Sequence, residues 1–178
     1  MEDPQAAAVL AATRVFEMIV DRFISRSQDI ARFAATRYSF EEWCNWEAYA
    51  AAAATGLEAT PRPRYCDLSD PASRGFGDVS VVVGNLNVLV EVGLVHDGTG
   101  DKWRGKLELD TQKLQRPLIQ NVVPLQLILL VSTRNIAVDD QWQRWLAKVA
   151  CWQRPTLLCR DVQLPPNGQM ILRGWSAP

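Results

Sequence analysis

The sequence is short of several things, and each shortage excludes a class. It has one histidine, His96, and four cysteines (Cys44, Cys66, Cys151, Cys159) that are far apart and form no Cys-x-x-Cys pair. A structural zinc site has too few ligands to be built from these, and reduced thiols in a cytoplasmic protein are the expectation. No apolar run is long enough to cross a bilayer, so no membrane association is expected. Met1-Glu2-Asp3-Pro4 is acidic and leads into no signal-type segment. Neither sign of charge dominates: the formal net charge is −1, which offers no global basic field for long nucleic acid and leaves only a local basic patch open. Gly75-Phe76-Gly77 lacks the strand-to-helix setting of a dinucleotide or phosphate loop.

What is present is an ordinary globular composition over 178 residues, enough for one domain with a sizeable core. Within residues 1–178 three parts are distinguishable: a helical part over 1–58, a core over 62–133, and a C-terminal helix with short strands over 139–178. Apolar residues at helical spacing predict a helix over residues 5 to 25 and a second over Ser27 to Arg37. Ser39-Phe40-Glu41-Glu42 reads as a capping box that opens a third helix to Thr55, closed by Gly56. Arg64 to Leu68 is expected as a short strand, and Ser69 to Gly77 as a loop. Asp101 is expected to cap a helix that ends before Pro117, with Trp103, Leu107 and Leu114 facing the core and Lys106, Asp110 and Lys113 together on an adjacent face. His96 to Gly100 reads as a flexible loop. Leu125 to Ser132 reads as a strand buried on both faces. Asp139-Asp140 should cap a helix carrying Trp142, Trp145, Leu146, Val149 and Trp152, its tryptophans serving packing. Thr156 to Arg160 and Met170 to Gly174 are further short strands. This order implies an α/β sandwich with a mixed sheet.

The most informative stretch is residues 77–93. Two β-branched runs flank Gly84-Asn85, which suits a two-residue primed turn with glycine in the first central place. That turn sets the register: Val83 opposite Leu86, Val81 opposite Val88, Val79 opposite Val90, and Asp78 opposite Glu91. One face of the hairpin is then wholly apolar. The other brings two carboxylates together with Cβ atoms about 4.5–5.5 Å apart, a destabilising arrangement. A divalent cation, a basic neighbour, a shared proton or exposure to water must compensate it.

An aspartate at the start of one strand and a glutamate in the next, within helix–three strands–helix–strand, resembles the PD-(D/E)xK superfamily of restriction-endonuclease-like nucleases. The resemblance covers about Arg64 to Ser132, and Leu109-Asp110-Thr111-Gln112-Lys113-Leu114 looks like the Asp-x-x-Lys-Leu pattern of several such families. It implies a restriction-endonuclease-like three-layer α/β/α sandwich with a central mixed sheet and N-terminal helices. It implies Asp78 and Glu91 as ligands of Mg²⁺ or Mn²⁺, phosphodiester hydrolysis of DNA, and a homodimer of the sort that cuts two strands. Where the family has lysine in Glu-x-Lys, this chain has Gly93. Either Lys106 or Lys113 replaces that lysine from the following helix, or catalysis has been lost and the fold serves as a binding or regulatory protein with a protein partner. Glu17, Glu42 and Glu47 on the N-terminal helices are weaker metal-ligand candidates, with capping already accounting for Glu42, and Asp67 and Asp70 are others, with solvation the simpler role for each. Gln112 is a candidate for substrate contact, and Arg26, Arg32 and Arg37 for phosphate contact. His96 has no nucleophile partner and receives no catalytic role.

Overall fold

In the computed structural model, residues 3–176 are described except 70, 100, 101, 117, 155 and 157. The hairpin is the middle of the architecture. Strands β2 (Val79–Val83) and β3 (Leu86–His96) pair with Val83 opposite Leu86, Val81 opposite Val88 and Val79 opposite Val90. Gly84 takes φ 63°, as a primed turn led by glycine requires. Strand β3 continues six residues beyond its last partner on β2, and this overhang positions the site described below.

The sheet has six strands in the order β1-β2-β3-β4-β6-β5. Helix α5 (Lys102–Leu114) carries the chain from β3 to β4 (Val122–Ser132), which lies parallel to it; all other pairings are antiparallel. A strand with a partner on each side and a helical layer on each face must be apolar throughout. Residues Leu125 to Val131 meet that demand, with Gln126 as the single polar side chain among them.

Helices α1 (Pro4–Ser25), α2 (Ser27–Thr36) and α3 (Glu41–Ala54) cover one face. Phe16, Ile19, Phe23 and Ile30 pack there against Val79, Val81, Val88, Val90, Leu125 and Leu127, the apolar side of the hairpin and its continuation. Helices α5 and α6 (Asp140–Leu146) cover the other face, where Leu107, Trp142 and Leu146 meet Val95, Ile128 and Leu130. The result is an α/β fold with a mixed sheet between helices. Among the described residues, no helix is long and apolar enough to cross a membrane.

Several local expectations change. The stretch from Arg64 is not a strand: Tyr65–Leu68 forms the short helix α4, burying Tyr65 and Leu68, a spacing of three that suits a helical turn and not alternation. The first strand comes earlier, as β1 (Ala59–Pro61) at the sheet edge, where the missing N–H of Pro61 costs no ladder bond. Ser39 does not cap α3. The cap position belongs to Phe40, whose ring packs against Phe33 and Trp43, so tertiary packing shifts the helix start by one residue. Gly56 does follow the helix end in a left-handed conformation.

The tryptophan-bearing helix is shorter than expected. Asp139 caps it by accepting from the Trp142 N–H, but it ends at Leu146, and Trp152 lies on a separate 3-10 turn, Ala150–Gln153. That break lets Trp152 pack on Trp175 and receive the Arg173 guanidinium, 3.9 Å from its ring centre. Strands β5 (Leu158–Leu164) and β6 (Gly168–Ser176) are longer than expected. The segment after β3 is held and not loose: Asp97 accepts from Ser132, Thr133 and Trp142, and Thr99 bonds the His96 backbone. Burial alone would raise the Asp97 carboxyl, yet these hydrogen bonds keep it below its ordinary range. The expected cap Asp101 and stop Pro117 lie outside the described residues.

Candidate active site

Beyond the first residue of β2, Val79, the next N–H of β3 on that side, from Val92, needs an acceptor. Asp78 supplies it: its Oδ2 accepts from Val92 N at 2.7 Å, and its Oδ1 accepts from Asn45 Nδ2 at 2.8 Å. Glu91 sits one residue past the last β2 pair and opposite Gln126 of β4, 2% exposed. The two hairpin carboxylates therefore do not splay into water. Glu91 is buried beside the half-buried Asp78, and Tyr65 Oη donates to Glu91 Oε1 from α4.

Helix α5 lies over this spot. Its residues at spacings of four and three share one face. Lys106 Nζ donates to Asp110 Oδ2 at 3.0 Å and pairs with Glu41 Oε1 of α3 at 2.8 Å. Lys113 Nζ donates to Asp110 Oδ1 at 2.6 Å and stands 4.0 Å from Glu91 Oε2. Both lysines expected from the sequence thus reach the carboxylate cluster. Beneath them Thr111 donates to Gln126 Oε1 at 2.9 Å, and Gln126 in turn bonds the Leu107 carbonyl, which ties α5 to the sheet.

The same helix explains Gly93. A Cβ built on Gly93 would overlap Leu107 Cδ2. A side chain there would first have to displace the buried Leu107 side chain of α5, the helix that delivers Lys106 and Lys113.

The cluster is short of positive charge. Four carboxylates (Glu41, Asp78, Glu91, Asp110) face two ammonium groups in a largely buried setting. Burial, then the field of Asp78, pushes the Glu91 carboxyl up to about 8, against which Tyr65 and Lys113 work only partly. Burial likewise raises Asp78 and Glu41. The Tyr65 hydroxyl is raised by burial and by Glu91, so it remains a proton donor. Burial opposes the charge on both lysines, but Asp110 and the neighbouring glutamates raise them, keeping them cationic. Glu41 Oε2 and Asn45 Oδ1 are buried without a hydrogen-bond partner among the described residues. Beside the cluster, an open cleft of about 300 Å³ is lined by Glu41, Glu42, Asn45, Trp46, Pro61, Arg62 and Asp78.

The weaker candidates fall elsewhere. Glu17 is exposed and 3.5 Å from Arg160. Glu47 pairs with Arg22 at 2.5 Å, away from the cleft. Glu42 is exposed on the cleft wall, while Asp67 is exposed beside Cys66. Asp70 lies outside the described residues. Gln112 is exposed on α5. Arg26 and Arg32 both pair with Asp29, and Arg37 ends α2 with φ 62°. His96 is buried and packs on Phe40. Sequence reasoning missed Tyr65, Asn45 and Glu41. Glu41 was hidden by the capping-box reading that favoured its neighbour, and Tyr65 by the strand assigned to its segment; nothing local marks Asn45.

Among the described residues, no three His, Cys, Asp or Glu side chains are grouped to hold a metal ion. No protein family, curated protein or solved structure matches the chain.

Proposed function

We propose that this chain is a restriction-endonuclease-like domain of the PD-(D/E)xK type that hydrolyses phosphodiester bonds in DNA with Mg²⁺ or Mn²⁺. The observation that carries the reading is the convergence of Asp78, Glu91, Lys106 and Lys113 beside an open cleft. The order α3–β1–α4–β2–β3–α5–β4 supports the finer fold assignment, with the acidic pair at the end of the hairpin and the lysines on the crossover helix. The four unpaired cysteines suit a reducing, cytoplasmic setting.

The donor set fits a hard cation. Asp78 and Glu91 provide carboxylate oxygens, the cluster carries surplus negative charge, and burial has raised carboxyl groups that a cation would return to their charged form. Two protein carboxylates, with water and substrate oxygens completing the shell, is a mode Mg²⁺ favours. A bound cation would supply a more acidic water and polarise a phosphate oxygen. The protein's own part is positional and electrostatic. Asn45 and the Val92 N–H fix the Asp78 carboxylate, and Tyr65 fixes Glu91. Lys113 and Lys106 place positive charge where negative charge develops on phosphate.

Calorimetric titration with Mn²⁺ tests this, comparing the native chain with Asp78→Asn/Glu91→Gln. Binding in the native chain that disappears in the double variant, together with Mn²⁺-dependent cleavage of DNA, is the expected result. A second reading, an inactive binding protein on the same fold, is favoured by one observation: Asp110 already engages both lysines. Absence of Mn²⁺ binding and of cleavage in the native chain would decide for it.

A further inference from the structure

Trp46, 53% exposed, lines the same cleft as Glu41, Glu42 and Asp78, and Phe76, 51% exposed, lies two residues before Asp78 in the chain. Arg62 joins them: it lines the cleft with Trp46, and its guanidinium lies 5.1 Å from the Phe76 ring centre. Arg62 holds a left-handed backbone, φ 51°, an uncommon state for a residue with a side chain. Its N–H donates to the Asp78 carbonyl, so the turn that presents Arg62 is bonded directly to the site. Arg64 bridges to Phe76 across the segment, and Arg62, Arg64 and Arg74 are all exposed. Arg62 thus links the two exposed rings, lining the cleft with Trp46 and lying against Phe76.

We propose that these rings form a base-stacking platform, and that the substrate of the site is single-stranded nucleic acid. The inference rests on the phosphodiesterase reading above and names its substrate class. Glu41, Glu42 and Asp78 give the cleft an acidic lining that repels phosphate, whereas Arg62 attracts it. The exposed ring of Trp46, and the face of Phe76 that Arg62 does not cover, can take bases, whose stacking on aromatic rings requires them to be unpaired. Duplex DNA buries those faces and depends more heavily on phosphate neutralisation, which a net charge of −1 does not favour.

Fluorescence anisotropy with the full chain tests it, in Ca²⁺ in place of Mg²⁺ or Mn²⁺. The probes are labelled oligothymidylate and oligouridylate of about twelve nucleotides and a blunt duplex of equal length. The expected result is at least about ten-fold tighter binding of a single strand than of the duplex, with Trp46→Ala and Phe76→Ala each weakening it about ten-fold and Trp46→Phe restoring most of the loss. The two single-stranded probes separate DNA from RNA. Arg62→Ala should lower the salt dependence by about one phosphate contact. Equal affinity for single strand and duplex, indifference to both alanine substitutions, or no binding of any probe would overturn the platform. The two readings fail separately. Trp46-dependent binding in a chain that neither binds Mn²⁺ nor cleaves keeps the platform as a binding site and removes the nuclease. Cleavage that ignores Trp46 and Phe76 keeps the nuclease and removes the platform.

Discussion

Glu91→Gln isolates the least comfortable charge in the protein. Glutamine keeps the shape of the side chain and an acceptor for Tyr65, but cannot ionise. Glu91 is 2% exposed, and burial with Asp78 beside it raises its carboxyl from 4.5 to about 8. A carboxyl raised on folding binds its proton more tightly in the folded chain than in the unfolded one. Its contribution is therefore fully present below about pH 4.5 and is lost as pH climbs toward about 8. At about 1.4 kcal/mol per pH unit, that displacement sets a ceiling of roughly 5 kcal/mol. Solvent screening from the adjoining open cleft reduces the realised figure, and about 2 kcal/mol is expected. Urea unfolding of the native and variant chains at steps between about pH 5 and pH 9 measures it. The native chain should lose stability relative to Glu91→Gln across that range, and Mn²⁺ should restore it at the alkaline end by binding the folded state. A native curve parallel to the variant's would refute the reasoning. So would a native chain that gains on the variant as pH rises, since Glu91 would then be behaving as an ordinary paired carboxylate.

Other expectations follow from the same cluster and its supports. Gly93→Ala should cost about 1–3 kcal/mol through overlap with Leu107, and Leu107→Ala in the same chain should recover part of it, a coupling that a double-mutant cycle by urea unfolding reads directly. Lys113→Met should lower cleavage by about a hundred-fold while changing Mn²⁺ affinity less than about three-fold, because it removes charge near the reacting phosphate and leaves both carboxylates in place. Lys106→Met should lower stability by about 1–2 kcal/mol, its partial exposure moderating the cost of leaving Glu41 and Asp110 unpaired. Asp139→Ala should cost about 1 kcal/mol in thermal or urea unfolding by removing the α6 cap.

How much of this was legible in the sequence depends on how locally each feature is encoded. The hairpin register could be read because strand alternation and the Gly84-Asn85 turn are properties of adjacent residues. The shared face of Lys106, Asp110 and Lys113 follows from helical spacing in the same way. Element ends were less legible: Ser39 had the chemistry of a cap, but burial of Phe40 outweighed it.

The sequence by itself therefore determined the α/β class, the hairpin with its register from Val79–Val90 to Val83–Leu86, and the shared helix face of Lys106, Asp110 and Lys113, since periodicities of two and 3.6 residues act within each element. Tertiary structure alone decided that Tyr65 grips Glu91, that Asn45 grips Asp78 and that Glu41 shares Lys106. Those partners come from segments distant in the chain, and only the order of the sheet and the overhang of β3 past β2 bring them together. It also decided why position 93 is glycine. A missing side chain shows in the sequence only as an absent lysine; the Leu107 methyl that occupies its place belongs to another element, and packing at fixed density leaves no room for both.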